Sequence, residues 1–231
     1  LDYGPDISGG ALFSFLESIG GQEFGMVLGK GGADTLVKSL TSVITENSGT
    51  IKVNSKVIEI ITENEKAIGV RTADGTVFNA KNIIANVNPA LIPELLNSKL
   101  SSSENVAEVK KFRPGLSTMM IHLALNELPN WSASEAKEFN YIHIAPYVDD
   151  LAMTYTQAAA GLLPSSPALV IGQPTVTDSS RAPAGKHVLW IQVRVLPLDI
   201  KGDARGEISG NTWDQIGEQY ADRIIEIIEN Y

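Results

Sequence analysis

Residues 51–89 constrain the fold of this chain most, because β-branched runs alternate there with residues typical of turns. The Asp74-Gly75 pair predicts a tight hairpin turn, since glycine adopts a positive φ at no steric cost. The stretch therefore predicts an antiparallel meander followed by a hydrophobic strand. The predicted strands are Val57–Ile61, Ala67–Thr72, Thr76–Ala80 and, last, Asn82–Asn86.

The remaining sequence predicts helices and a second set of strands. Apolar side chains spaced by three and four residues predict helices, and alternating apolar and polar residues predict strands. The predicted helices are Gly9–Ile19 (ended by Gly20-Gly21), Asp34–Glu46, Ala90–Leu96, Ser101–Lys111, Asp149–Ala160 and a last helix from Trp213. The predicted strands are Gly115–Leu125, Phe139–Ala145, Ala168–Thr177 and His187–Pro197. This order indicates an α+β fold with two antiparallel or mixed sheets.

Composition excludes several classes of protein. The chain has 231 residues, 43% hydrophobic and 19% charged, which is typical of a soluble globular protein. Its formal net charge of −9 argues against a nucleic-acid partner. No apolar run reaches the roughly 20 residues of a membrane helix, and the start shows no secretory signal. We expect a cytoplasmic location, with peripheral membrane contact still compatible with the sequence.

The residues that usually carry chemistry form no recognisable catalytic set. The chain has no cysteine, which excludes disulfides and thiolate nucleophiles. His122, His143 and His187 do not have metal-ligand spacing, so no metal site is predicted. His122 and His143 are interpreted as solvent- or cavity-facing residues rather than catalysts. No Ser/His/Asp set or carboxylate pair is recognisable, and the catalytic residues stay unknown.

A glycine-rich segment, Met26–Asp34, precedes the second predicted helix. It is similar to a dinucleotide-binding fingerprint, in which glycines let the backbone approach a pyrophosphate. Asp34 occupies the third glycine position and would set a carboxylate against the phosphates. The segment is therefore interpreted as a glycine-rich helix start.

One polar strand face is a candidate binding surface. Alternation places Trp190, Gln192 and Arg194 on the side of their strand opposite to its apolar residues. They either line a ligand cavity or form an amphipathic outer face. With Thr118, Met120 and His122 of a second strand, they are the predicted substrate-binding residues.

The two ends of the sequence predict a piece of a longer protein. The chain begins at Leu1 without a methionine and ends at Tyr231 inside the predicted helix, with no stop signal.

The order of motifs resembles FAD-dependent oxidoreductases of the phytoene dehydrogenase (desaturase)-related family. The resemblance rests on three segments, which are KGGADTLVKSL (Lys30–Leu40), NSGTIKVNSKVIEI and AIGVRTADGTVFNAKNIIANVNP. His143–Pro197 resembles the branch of pyridine nucleotide-disulphide oxidoreductase domain-containing proteins, and the spaced pattern from Pro174 to His187 is its most specific piece. Disulfide chemistry is ruled out here by the absence of cysteine.

The resemblance implies a substrate-domain fragment of an FAD enzyme whose other FAD-binding parts lie outside this chain. It implies main-chain contact between Val57 and the adenine, with Ala85 and Asn86 near the ribose and pyrophosphate. The implied division is a helical lead-in (1–50), a meander belonging to the FAD-binding part (51–89) and a substrate-binding domain (90–231). The implied reaction transfers hydride from a small hydrophobic substrate to flavin.

Two alternatives stay open on the sequence. One is a non-catalytic ligand-binding or protein-interaction module, and the other is an amine-oxidase-like flavoenzyme on the same scaffold. Under the favoured interpretation, the fragment alone is expected to be inactive and to retain no FAD.

Overall fold

The structure, a computed structural model, describes residues 4–5, 7–25, 29–96, 104–112, 114–145 and 147–231. The chain forms two compact units, one of residues 39–114 and one of residues 1–38 with 115–231. The predicted division at residues 50 and 89 is a division by role, and it stays a prediction.

The first elements are two helices. They are α1 (Gly10–Phe24) and α2 (Asp34–Glu46). The bounds of α2 match the prediction, whereas α1 continues through Gly20-Gly21, where the prediction ended it. A glycine inside a helix lowers helix stability by only about 1 kcal/mol relative to alanine. The helical turns on either side of Gly20-Gly21 compensate for this loss. Met26–Leu28 of the glycine-rich segment lie outside the described residues.

The meander of residues 39–114 is an antiparallel sheet in the order β1-β2-β3. Its strands are β1 (Val57–Glu63), β2 (Lys66–Thr72) and β3 (Val77–Asn79). The turn prediction is confirmed, because Gly75 has φ 85° and its N–H donates to the Thr72 carbonyl at 2.9 Å. The Thr72 hydroxyl donates to the Asp74 carboxylate at 2.6 Å and lowers the pKa of Asp74.

The predicted strand Asn82–Asn86 is wrong, since these residues are irregular in the structure. A strand needs a neighbour for its backbone groups, and among the described residues none pairs with this segment. Ile84 is 93% exposed, so no packing compensates. Two helices follow, α3 (Ile92–Leu95) and α4 (Glu104–Lys110), and residues 101–103 of the predicted helix lie outside the described residues.

The unit of residues 1–38 and 115–231 contains a four-stranded antiparallel sheet in the order β4-β8-β7-β5. The elements from residue 115 on are β4 (Ser117–Leu125), β5 (Tyr141–Ile144), α5 (Val148–Ala159), β6 (Leu162–Leu163), β7 (Ala168–Gly172), β8 (His187–Leu196), β9 (Gly202–Asp203) and α6 (Trp213–Ile228). The prediction continued β7 to Thr177, but it ends at Gly172, before a 3-10 turn at Pro174–Val176. Pro174 cannot donate to a strand ladder. β6 and β9 form a separate parallel pair.

Helix α6 covers one face of this sheet and completes the core. Ile216, Tyr220 and Ile224 are fully buried against the inward residues of β8 and β7, including Ile191 and Ile171. Burial raises the pKa of Tyr220, whose hydroxyl donates to the Pro164 carbonyl. Helix α6 therefore packs on one face of the sheet and does not cover the opposite face.

Strand β8 carries one extra residue opposite β4. Thr118 pairs with Arg194 and Ser117 with Leu196, so Val195 is the bulged residue. Val195 has φ 64°, an unusual value for a β-branched residue. Val195 and Leu196 are both buried, while Arg194 points to the other face.

A buried polar network fixes the end of β7. The Gln173 side chain is fully buried and accepts a hydrogen bond from Trp131 Nε1 at 3.0 Å. Its amide nitrogen donates to the carbonyls of Ala136 and Phe139 at 2.7 and 2.6 Å. The network ties the segment before β5 to the strand that pairs with it.

Candidate functional site

The side of the four-stranded sheet away from α6 is the candidate binding surface, here called the open face. Its predicted members lie directly opposite one another, because β4 and β8 pair antiparallel. The pairs are Thr118 with Arg194, Met120 with Gln192, and His122 with Trp190. The structure thus brings all six predicted residues onto one surface.

The two strands of the open face differ in exposure. Trp190, Gln192 and Arg194 of β8 are half-buried, since β8 is flanked by strands on both sides. The β4 residues are exposed, and Met120 is 43% exposed at the sheet edge. The face is therefore neither a closed cavity nor a fully solvated surface, and its assignment to substrate stays a prediction.

An aromatic pair spans three strands of the open face. The rings of Trp190 and Tyr141 lie 5.4 Å apart, tilted by 59°. Between them on β7 is Gly172, where an added Cβ would lie 2.0 Å from the indole. The indole can lie across β7 only because this residue is glycine.

Tyr141 and Gly172 were not among the predicted site residues. Alternation along the predicted strand Phe139–Ala145 puts Tyr141 on the same face as His143, which is a usable signal. The match of Gly172 with Trp190 depends on the register between β7 and β8, which the sequence of neither strand specifies.

Arg194 is held by a neighbour on its own strand. Its Nε and Nη2 atoms donate to Gln192 Oε1 at 3.0 and 2.8 Å. The acceptor is a neutral amide, so the interaction orients the guanidinium without neutralising it.

The glycine-rich segment and the loop after β7 contact each other near the start of β5. Arg181 donates from Nη2 to the Gly29 carbonyl at 3.4 Å and from Nε to Asp178 at 3.0 Å. Hydrogen bonds from the Ser180 hydroxyl and from Arg181 lower the pKa of Asp178. A cavity of about 520 Å³ lies beside them, lined by Gly29, Lys30, Phe139, Asn140, Tyr141, Thr177 and Asp178.

The predicted cofactor contacts lie in the unit of residues 39–114. Val57 begins β1, which is an edge strand of the meander. On the side of β1 that faces away from β2, pairing among the described residues is limited to one bridge, between Ile60 and Leu96. Ala85 and Asn86 are exposed in an irregular segment. An edge strand with unpaired backbone groups fits main-chain contact with a nucleotide.

Metal sites and membrane spans are both absent from the described part of the chain. No group of three His, Asp or Glu side chains there could hold a metal ion. None of the helices in the described ranges is long and apolar enough to cross a membrane.

Comparison with known sequences gives a match along most of the chain. The family model described as "Flavin containing amine oxidoreductase" matches residues 2–220. A 4,4'-diapophytoene desaturase from Methylomonas sp is 27% identical over 79% of this chain and 34% of that protein. A chloroplastic prolycopene isomerase from Daucus carota is 29% identical over 86% of this chain and 29% of its own length. The chain thus spans about a third of each relative.

Comparison with solved structures supports the fold. An oxidoreductase from Methanosarcina mazei superposes with a TM-score of 0.53 at 23% identity, covering 80% of this chain and 38% of that one. A Pyrococcus furiosus protein superposes with a TM-score of 0.54 at 17% identity, covering 87% of this chain and 40% of that one. At these identities the likeness concerns the fold alone.

Proposed function

Since the chain belongs to the family of flavin containing amine oxidoreductases, we propose that it is the substrate-domain part of an oxidoreductase that removes hydride from a hydrophobic substrate. Family membership implies that the whole protein binds FAD. Within it, residues 90–231 supply the substrate-binding sheet and residues 51–89 contact the cofactor. Relatives whose names describe phytoene and diapophytoene desaturases support an apolar polyene as the substrate.

The open face is the observation that carries the substrate proposal. The sheet has one face packed on a helix, and on its other face an aromatic pair lies among polar side chains and can contact a long molecule. Trp190 and Tyr141 would hold the substrate and exclude water from it. Bound flavin supplies the electron chemistry by accepting the hydride. Val57, Ala85 and Asn86 are the proposed cofactor contacts, and no catalytic acid or base is assigned.

Oxidation of an amine is the second candidate reaction. The description of the matching family favours it, because that description names amine oxidoreductases. In both reactions bound flavin would accept a hydride while the substrate loses a proton to solvent, and the two differ in whether a C–C or a C–N bond becomes unsaturated. A non-catalytic module lacks a comparable observation in its favour.

Anaerobic reduction of the flavin in the whole protein tests the proposal. We expect an acyclic polyene such as phytoene to bleach the flavin absorption and an alkylamine to leave it unchanged. Bleaching by the amine alone would favour the second candidate. Absence of bleaching by either class would contradict the oxidoreductase proposal.

Substitutions then test the open face. Trp190→Ala should raise KM for the polyene roughly tenfold, because a large apolar contact of about 1.4 kcal/mol or more is lost. Phe24→Ala removes an 83% exposed aromatic of α1 and is the matched control. Equal effects of the two substitutions would contradict a role of the open face in binding.

A further inference from the structure

Arg194 is a half-buried cation that lacks a carboxylate partner among the residues that the structure describes. Its hydrogen bonds go to Gln192 Oε1, and the ion pairs found there do not include it. Three other guanidiniums do pair with carboxylates: Arg71 with Glu59, Arg181 with Asp178, and Arg223 with Asp203. In a chain of net charge −9, carboxylates are abundant, yet none of those described forms an ion pair with Arg194.

The geometry leaves one edge of the Arg194 guanidinium available. A guanidinium has five N–H donors. Gln192 takes one from Nε and one from Nη2, which leaves donors on both terminal nitrogens. That pair of nitrogens forms the fork that binds a carboxylate through two parallel hydrogen bonds.

The strands beside Arg194 put no large side chain next to it, and helix α5 also contacts β8. The cross-strand neighbours of Arg194 are Thr118 on β4 and Ala168 on β7, both with short side chains. Four residues earlier on the same face lies Trp190, about 13 Å away at the usual rise of a strand. Met120 and Val170 flank Gln192 on the neighbouring strands; Met120 adds exposed apolar surface, whereas Val170 is buried.

We propose that the open face binds a chain-shaped apolar molecule with a carboxylate at one end, the carboxylate on Arg194 and the apolar body running toward Trp190 and Tyr141. This inference rests on the proposed function, for which it specifies the substrate class. Gln192 is a positioning residue, because it presents the fork of Arg194 to the open side of the sheet. The occupant follows from charge complementarity, since a carboxylate supplies the counter-charge that Arg194 lacks among the described residues.

A matched pair of ligands tests this inference by a readout that is independent of turnover. The probes are cis-parinaric acid, a fluorescent polyene with a carboxylate, and its methyl ester, titrated into the flavin-loaded whole protein. We expect the acid to bind at least about tenfold more tightly than the ester, as a charge-assisted bidentate pair implies. Only the affinity for the acid should fall with rising salt.

Variants locate the effect. Arg194→Met should remove the preference for the acid, and Arg194→Lys, which keeps the charge without the fork, should retain part of it. Arg205→Met is the control, since Arg205 is exposed and donates to the Ser165 carbonyl. Trp190→Ala should weaken both probes alike. Thermal unfolding of each variant shows whether it is folded.

Three outcomes would overturn the inference. Equal affinity for acid and ester in the unaltered protein would overturn the carboxylate assignment, while flavin bleaching by a polyene hydrocarbon would leave the proposed function standing. An undiminished preference for the acid in folded Arg194→Met would place the carboxylate elsewhere. Failure of both probes to bind, together with absence of flavin bleaching, would remove the inference and the proposed function together.

Discussion

Gly172 lies beneath the indole of Trp190 on the open face, and a Cβ atom there would be 2.0 Å from the ring. Gly172→Ala should therefore displace the indole or shift β7. We expect a loss of about 1–3 kcal/mol in the free energy of unfolding, as for other overpacked sites. Denaturant unfolding measures the loss, and near-UV circular dichroism reports the altered surroundings of Trp190.

Gly217→Ala is the matched control for that substitution. Gly217 lies in α6 with open space where the Cβ would be. Alanine there should stabilise the helix by up to about 1 kcal/mol. If the two substitutions change stability in the same direction, the absence of a side chain at Gly172 is not what allows the Trp190 indole to pack there.

Gln173 offers a second test at the scale of single residues. Gln173→Leu keeps a similar volume but leaves Trp131 Nε1 and the carbonyls of Ala136 and Phe139 without their buried partner. Each orphaned group costs about 1–3 kcal/mol, so we expect the unfolding free energy to fall by more than about 2 kcal/mol. Trp131→Phe with Gln173→Leu should recover part of this loss. Additive effects in that double-mutant cycle would contradict the network.

The residues of the open face were partly predictable from sequence. Alternation along single strands was sufficient for Trp190, Gln192 and Arg194, because the period of a strand is a local property. Contacts such as Gly172 with Trp190 depend on the pairing of two strands, and the sequence of one strand does not determine it. The hydrogen bonds of Gln173 likewise join segments that are 34 to 42 residues apart.

At the scale of elements, one buried ion pair joins the β9 segment to α6. Arg223 donates to both Asp203 oxygens, at 2.8 and 2.6 Å, and its side chain is 4% exposed. Burial raises the pKa of Asp203, but hydrogen bonds from Arg223 and from the backbone of Ile208 and Glu207 outweigh it. The pKa of Asp203 is therefore far below its usual value.

The sign of the resulting pH dependence follows from the lowered pKa in the folded state. The stabilisation is fully present above the unfolded pKa of about 3.9 and is lost as the pH falls toward the lower folded value. Asp203→Asn should flatten this acid limb of the stability curve. At neutral pH it should cost up to about 3–5 kcal/mol, because the buried Arg223 keeps only the exposed carboxylate of Glu207 as an ion-pair partner. Urea unfolding between pH 7 and pH 2 measures both effects.

Asp222→Asn is the control for Asp203→Asn. Asp222 is exposed on the same helix, so its substitution should change stability by no more than about 0.5 kcal/mol. An acid limb that is equally steep in Asp203→Asn and in the unaltered chain would contradict the assignment.

The elements show where local patterns suffice for prediction. The helix α2 and the alternation of β4 were predictable because periodicity and capping are local signals. The segment Asn82–Asn86 has a strand-like composition, but hydrogen-bonding partners decide whether a strand forms. On the apolar side of α2, Leu36 and Leu40 are 66% and 57% exposed. The spacing of apolar residues in α2 therefore predicted the helix but did not predict which element packs against it.

At the scale of the whole molecule, the family was predictable from the order of motifs, and the family model confirms it. This chain spans about a third of its relatives, and we propose that most contacts with FAD lie in the rest of the protein. We expect the isolated chain to purify without colour, since Val57, Ala85 and Asn86 alone offer few contacts. Absorption spectra of the chain and of the whole protein test this, and a stoichiometric flavin band in the isolated chain would contradict it.

The extra residue at Val195 has a consequence for reading the sequences of relatives. Side chains of β8 alternate between faces up to Arg194, and the bulge then resets this parity. A relative that lacks the extra residue would need a gap at this position. An ungapped alignment would assign its residues beyond that point to the wrong face. Homology-based transfer of open-face residues is therefore safe on the Trp190 side of Val195 and requires a check of strand register beyond it.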